Sequence, residues 1–277
     1  MLIKHKAPAK INFGLRVLAR RKDSYHNLET IFYPVKLYDD VAVDIKRSSK
    51  GLITVKTNAG EGLEGRKNIC YRAAEMFLKE FRIPGEYSIA IKIKKNIPYG
   101  AGLGGGSSDA AAVLKILARY FKLPLSAKLK KLALVLGSDV PFFLLGKPAY
   151  ATGRGEKLTQ LPAFSVKGKI LLVNPGIHVS TPWAFKELNL KKSKRAVLKG
   201  VKTFDTEDTR LMINDFERVV FVKHPEIEKI KLDMLAMGAE YSLMSGSGST
   251  VYGVFRGTKI QNAKIYFSRK GYKVFIA

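Results

Sequence analysis

Two periods alternate along the chain. Tyr87, Ile89, Ile91 and Ile93 recur at every second position, the spacing of a strand with one buried face. Val113, Leu114, Leu117, Tyr120 and Phe121 fall on one side of a helix. The same reading predicts strands over 7–18, 31–35, 41–45, 52–56, 169–174 and 272–276, with helices over 69–81, 127–136 and 259–269. In the first strand Ile11, Phe13, Leu15 and Val17 share one face. Lys10, Asn12 and Gly14 share the other, and taken alone that set reads as a solvated face. Asn68 is a good N-cap for the helix whose apolar side is Ile69, Ala73, Met76 and Phe77.

Between the strand ending at Ile93 and the helix beginning near residue 107 lies a glycine loop, Pro98-Tyr99-Gly100-Ala101-Gly102-Leu103-Gly104-Gly105-Gly106-Ser107-Ser108-Asp109. Ser107, Ser108 or Asp109 can each act as N-cap. A helix N-terminus carries free N–H groups and partial positive charge, and glycines let a ligand approach the backbone. The combination predicts a phosphate site. Gly100, Gly102 and Gly105 spell G-x-G-x-x-G, but residues 123–134, where a dinucleotide fold would place its ribose acid, hold no Asp or Glu. The Walker sequence and the protein-kinase signatures are absent.

Composition narrows the setting. The 277 residues can form one large domain or two ordinary ones, and 46% hydrophobic content suffices for a core. The net charge of +26 would attract anions, nucleic acid or a membrane surface. Because Lys and Arg are spread along the whole chain, a solvated lysine-rich surface is favoured over a nucleic-acid role. Lys191, Lys192, Lys194 and Arg195 read as a solvated loop. Cys70 stands alone, so no intrachain disulfide or cysteine-rich zinc site is expected. No signal-like or membrane-length apolar run occurs, and a cytoplasmic protein is expected.

The glycine loop resembles the phosphate loop of the GHMP kinases (galactokinase, homoserine kinase, mevalonate kinase, phosphomevalonate kinase). Three further motifs follow that family in order. They are Pro8-Ala9-Lys10-Ile11-Asn12 with Tyr25-His26, then Gly137-Ser138-Asp139-Val140-Pro141-Phe142-Phe143, then Gly246-Ser247-Gly248-Ser249-Thr250. The spelling G-L-G-G-G-S-S-D and the Tyr25-His26 pair resemble the branch acting on 4-diphosphocytidyl-2-C-methyl-D-erythritol, in the non-mevalonate route to isoprenoids. The resemblance implies an α+β, two-domain GHMP kinase fold. A ribosomal-protein-like α/β domain (1–158) would precede a ferredoxin-like domain (159–277), with the active site in the cleft between them. Ala151-Thr152-Gly153-Arg154-Gly155-Glu156 would close the first domain.

The resemblance also implies roles. ATP, accompanied by Mg²⁺, would be held by Asn68, Lys94 and the loop from Pro98 and Gly100 through Ala101, Gly102, Leu103, Gly104, Gly105, Gly106 and Ser107 to Ser108. Lys95 would help to frame the nucleotide. Asp139 is either an N-cap or, by resemblance, the general base, with Lys10 beside it. The substrate, a small molecule bearing cytidine diphosphate, would meet Asn12, Tyr25, His26, Asp139, Thr181, Phe185, Gly246 and Ser247. Tyr25 and Phe185 would sandwich the cytosine, with Trp183 a competitor for the second place. No dedicated protein metal cage is visible, and a monomer or weak homodimer is expected. Two alternatives stand beside this reading. One is a homoserine- or mevalonate-type GHMP kinase, which Tyr25-His26 argues against. The other is a basic RNA-binding protein, which lacks the aromatic run such a sheet needs.

Overall fold

The structure is a computed structural model describing residues 1–277, apart from Lys191, Lys192 and Lys194 and the side chain of Glu61. The basic loop expected at 191–194 therefore falls largely outside the described residues. The chain forms two compact units, Met1–Ala9, Tyr38–Ile97 and Gly104–Gly146 in the first, Lys10–Leu37, Pro98–Leu103 and Lys147–Ala277 in the second. No single cut separates them, because strands β1 (Leu2–Arg20) and β2 (His26–Arg47) are long enough to give each unit one stretch. The two strands expected at 31–35 and 41–45 are one strand, β2. The acidic pair Asp39-Asp40 masks its continuity, but Asp39 is fully buried and hydrogen-bonded, so the strand runs through it.

In the first unit β3 (Ile53–Thr57) is followed by α1 (Ile69–Glu80) and β4 (Tyr87–Lys94). β4 pairs antiparallel with β2, from Asp40 opposite Lys94 to Arg47 opposite Tyr87, and parallel with β3. Ile89, Ile91 and Ile93 are buried as their alternation requires. Then come α2 (Gly105–Tyr120), α3 (Ala127–Leu136) and α4 (Val140–Leu145), with α1 and α4 packed on α2. α2 starts before Ser107, Ser108 and Asp109, so none of the three is its N-cap. Gly104 holds that position at φ +70° without a side-chain cap. Glycine reaches this conformation cheaply, so the chain turns into the helix before it meets a capping side chain.

In the second unit β5 (Ala149–Thr152) pairs with β2 at Thr30–Phe32 and with β6 (Lys157–Gln160). β7 (Lys169–Asn174), α5 (Thr181–Leu188), α6 (Glu217–Lys223), α7 (Pro225–Ala236), β8 (Tyr241–Met244), β9 (Val251–Phe255), α8 (Lys259–Arg269) and β10 (Lys273–Ile276) complete it. Their sheet has the order β10-β7-β9-β8, all neighbours antiparallel. This is the ferredoxin-like α+β layer the sequence predicts. Leu171, Val173, Met234, Phe255, Ile260 and Phe267 share one apolar core against its helices. Phe13 packs among Tyr33, Phe164, Tyr241 and Tyr252.

Candidate active site

In the first unit the exposed end of α2 is backbone. A Cβ on Gly106 would meet only Ile69 Cγ2, at 3.9 Å, so the open space there is available to a ligand. Beneath Gly105 lies an ionic cluster. Lys95 Nζ is 3.3 Å from where a Gly105 Cβ would stand. That ammonium donates to Asp39 and, at 2.6 Å, to Asp109 Oδ2. Asp39 also accepts the Asn96 and Ile97 N–H groups at 2.6 and 2.8 Å. Asp109 Oδ1 is buried without a hydrogen-bond partner. Burial pushes the Asp109 carboxyl up to about 7, with Asp39 adding to the rise and Lys95 opposing it. Burial alone would lower the Lys95 ammonium, but the two carboxylates outweigh it and the net direction is upward. Sequence reasoning missed this cluster, since it offered Asp109 only as one of three N-cap candidates and left residue 39 unassigned between the strands expected at 31–35 and 41–45.

Lys94 points elsewhere. It is exposed on the side of β4 opposite the buried isoleucines, where Lys4, Lys6, Lys56 and Lys92 line the same open groove. Asn68 spends its side chain on α1, accepting from Cys70 N–H at 2.8 Å and donating to Leu63 O at 2.6 Å. Asp139 occupies the N-cap position of α4, half-buried, but its carboxylate makes no capping bond.

In the second unit Lys10 and Asn12 form no solvated face. Both are buried, and Lys10 Nζ donates to Asn12 Oδ1 at 2.7 Å. Asn12 donates in turn to Thr30 Oγ1 at 3.0 Å, which fixes the amide so that its oxygen faces the ammonium. Lys10 N–H donates to Leu103 O at 3.0 Å. Gly102, at φ +77°, lies so close to the turn that runs from Ser245 into Gly246–Thr250 that a Cβ would stand 2.0 Å from Ser245 O. Ser245 Oγ donates to Gly102 O at 3.0 Å, and Thr250 N–H to Ala101 O at 3.3 Å. In the same turn Ser247 shares a 2.7 Å hydrogen bond with Thr181, while Gly246 O accepts from Asn214. Pro98 is half-buried, and Gly100 carries the ring of His178, a neighbour the sequence did not suggest.

His26 and Phe185 come together as stacked rings, with centroids 4.7 Å apart and planes 13° apart. Phe185 is braced edge-on by Phe216. Burial, and then Arg20, lower the His26 pKa from 6.5, which keeps the imidazole neutral near pH 7. Tyr25 is 52% exposed, with Arg154 held 4.5 Å from its ring centre. Trp183 instead meets His224 and Lys223, so Phe185 is the aromatic that faces the Tyr25-His26 turn. Among the described residues no three His, Cys, Asp or Glu side chains gather as a metal site, and no helix is long and apolar enough to cross a membrane.

The chain thus carries a glycine loop at a helix start, a half-buried carboxylate in an apolar segment and a buried lysine–asparagine pair. The family model for the GHMP kinases N terminal domain matches residues 68–147, and that for the GHMP kinases C terminal matches 196–273. The chain belongs to the GHMP kinases and is an ATP-dependent small-molecule kinase. Its relatives include the 4-diphosphocytidyl-2-C-methyl-D-erythritol kinase of Syntrophotalea carbinolica, 42% identical over 274 residues, which span 97% of this chain and 96% of the relative. The enzyme of the same name from Porphyromonas gingivalis is 38% identical over 251 residues, 90% of each chain. A crystal structure of 4-(cytidine 5'-diphospho)-2C-methyl-D-erythritol kinase superposes with a TM-score of 0.82 at 35% identity, covering 99% of this chain and 98% of that one.

Proposed function

We propose that this kinase transfers the γ-phosphoryl group of ATP to the 2-hydroxyl of 4-diphosphocytidyl-2-C-methyl-D-erythritol, in the non-mevalonate pathway to isoprenoids. The observation that carries the substrate assignment is the stacked His26–Phe185 pair beside exposed Tyr25. It supplies aromatic surface for a base and a neutral imidazole with one donor and one acceptor for the base edge. The family matches at 68–147 and 196–273 leave residues 148–195 between them, the interval that holds the boundary expected at 158.

Phosphoryl transfer depends mainly on positioning and charge stabilisation. The backbone N–H groups at the start of α2 hold the ATP phosphates, with Gly106 leaving room for them. Asp139 accepts the proton of the attacking hydroxyl. Lys10, aligned by Asn12, stabilises the alkoxide as it develops. Thr181 and Ser247, already joined, line the substrate side. Mg²⁺ would arrive with ATP and would be held largely through phosphate and water oxygens. When bound it neutralises phosphate charge. Asp139→Asn tests the central role. Turnover is expected to fall by about two to four orders of magnitude while ATP and substrate dissociation constants stay within a few-fold. Near-normal turnover in that variant removes Asp139 as the base.

A further inference from the structure

The glycine loop leaves β4 just before Lys95 and re-enters regular structure in α2, which carries Asp109. The Lys95 ammonium ties those two ends together, since it bonds Asp109 on the far side of the loop and Asp39 on β2. Asp39 then holds the outgoing backbone at Asn96 and Ile97. All three side chains are withdrawn from water, at 12%, 0% and 4% exposure for Lys95, Asp39 and Asp109. The ammonium stands beside Gly105, the first residue of the helix. A cation so placed reinforces the positive end of the helix.

We propose that Lys95, Asp39 and Asp109 form a clasp that closes the base of the phosphate loop and sets the charge ATP meets there, which makes Asp109 a positioning residue for ATP. The inference rests on the phosphate-loop reading above. Two carboxylates share one ammonium, and they are not equivalent. Asp39 is satisfied by Lys95 and two backbone N–H groups. Asp109 has one oxygen without a partner, so it is the member that takes up a proton. The groups facing it are Lys95, Asp39 and, from α1, the Cys70 thiol, itself pushed up by burial and by Asp109. With Asp109 protonated the clasp is neutral. With Asp109 ionised it carries one negative charge next to the phosphates. Protonation near pH 7 therefore favours ATP, and bound ATP favours protonation by the same factor.

The experiment is ATP binding by calorimetry from pH 6 to 8.5, on the wild-type protein, Asp109→Asn and Lys95→Met, with thermal melting of each. Comparing Asp109→Asn with wild type at each pH cancels the titration of ATP itself. At pH 6 the two are expected to bind alike. At pH 8.5 Asp109→Asn is expected to bind about three- to tenfold tighter, the scale of one partly screened charge several ångströms away. Lys95→Met, which leaves both carboxylates uncompensated, is expected to lose at least about tenfold in affinity. A constant ratio between Asp109→Asn and wild type across the pH range overturns the inference, even if both are weakened, because a plain structural brace would act alike at every pH. Wild-type protein that fails to bind ATP at all overturns the phosphate-loop reading and the clasp with it. Intact wild-type binding with a constant ratio overturns the clasp alone.

Discussion

His26 and Phe185 lie face to face, so the imidazole proposed to read the base edge rests on a second ring. Stacking tolerates every base at about 1–3 kcal/mol per contact, and cytosine must be told from uracil by its edge. His26→Ala is expected to reduce the preference in kcat/KM for cytidyl over uridyl substrate by at least about fivefold, since the wrong base then no longer leaves a polar group unpaired. Phe185→Ala is expected to lower the same preference, because His26 loses the surface that orients it. Tyr25→Ala is expected to weaken both substrates alike. An unchanged ratio in His26→Ala would move base reading to the backbone. pH offers a second view. The His26 pKa lies below its usual 6.5, so the preference should be flat above pH 6.5 and fall in more acid solution as the ring gains a proton and loses its acceptor.

Gly106 and Gly102 sit in different surroundings, open space at one and packed backbone at the other, so substitution can separate the proposed phosphate role of the loop from its structural role. At Gly106 a Cβ meets nothing closer than 3.9 Å. Gly106→Ala should therefore raise stability by about 0.5–1 kcal/mol while weakening ATP binding, because the new methyl occupies the space assigned to phosphate. At Gly102 the Cβ would stand 2.0 Å from backbone at Ser245. Gly102→Ala should lower stability by roughly 1–3 kcal/mol or more and impair ATP binding as a consequence. Melting and ATP titration of the pair check this, and loss of stability in Gly106→Ala would return the loop to a purely structural role. The loop and the limits of α3, β7 and α8 were legible because glycine runs and hydrophobic periods are local signals. The start of α2 was not, since a serine-rich stretch advertises a cap that the preceding positive-φ glycine makes unnecessary. Lys10 and Asn12 looked like a solvated face because period-two alternation cannot tell a polar face that meets water from one that meets buried partners. The Asp39–Lys95–Asp109 clasp joins residues 56 and 14 positions apart, and no local pattern carries such a contact.

At the scale of the molecule, the +26 charge belongs to a surface and not to a tail or a single motif. Nucleic-acid binding is expected to be weak, indifferent to sequence and steeply weakened by salt, as counterion release requires. A sequence-specific RNA complex that survives physiological salt would favour the RNA-binding alternative. A positive field of this kind also attracts small anions such as nucleotides. Relatives named for one substrate are 38–42% identical to this chain, which supports the proposed acceptor over homoserine or mevalonate. The most direct measurement is ATP consumption by the purified protein with 4-diphosphocytidyl-2-C-methyl-D-erythritol, homoserine or mevalonate as the only acceptor, with the phosphorylated product identified by mass and its position by NMR. Turnover is expected with the cytidyl substrate alone, with a new phosphate on its 2-hydroxyl. Faster turnover with homoserine or mevalonate, or ADP release that ignores the cytidyl substrate, would contradict it.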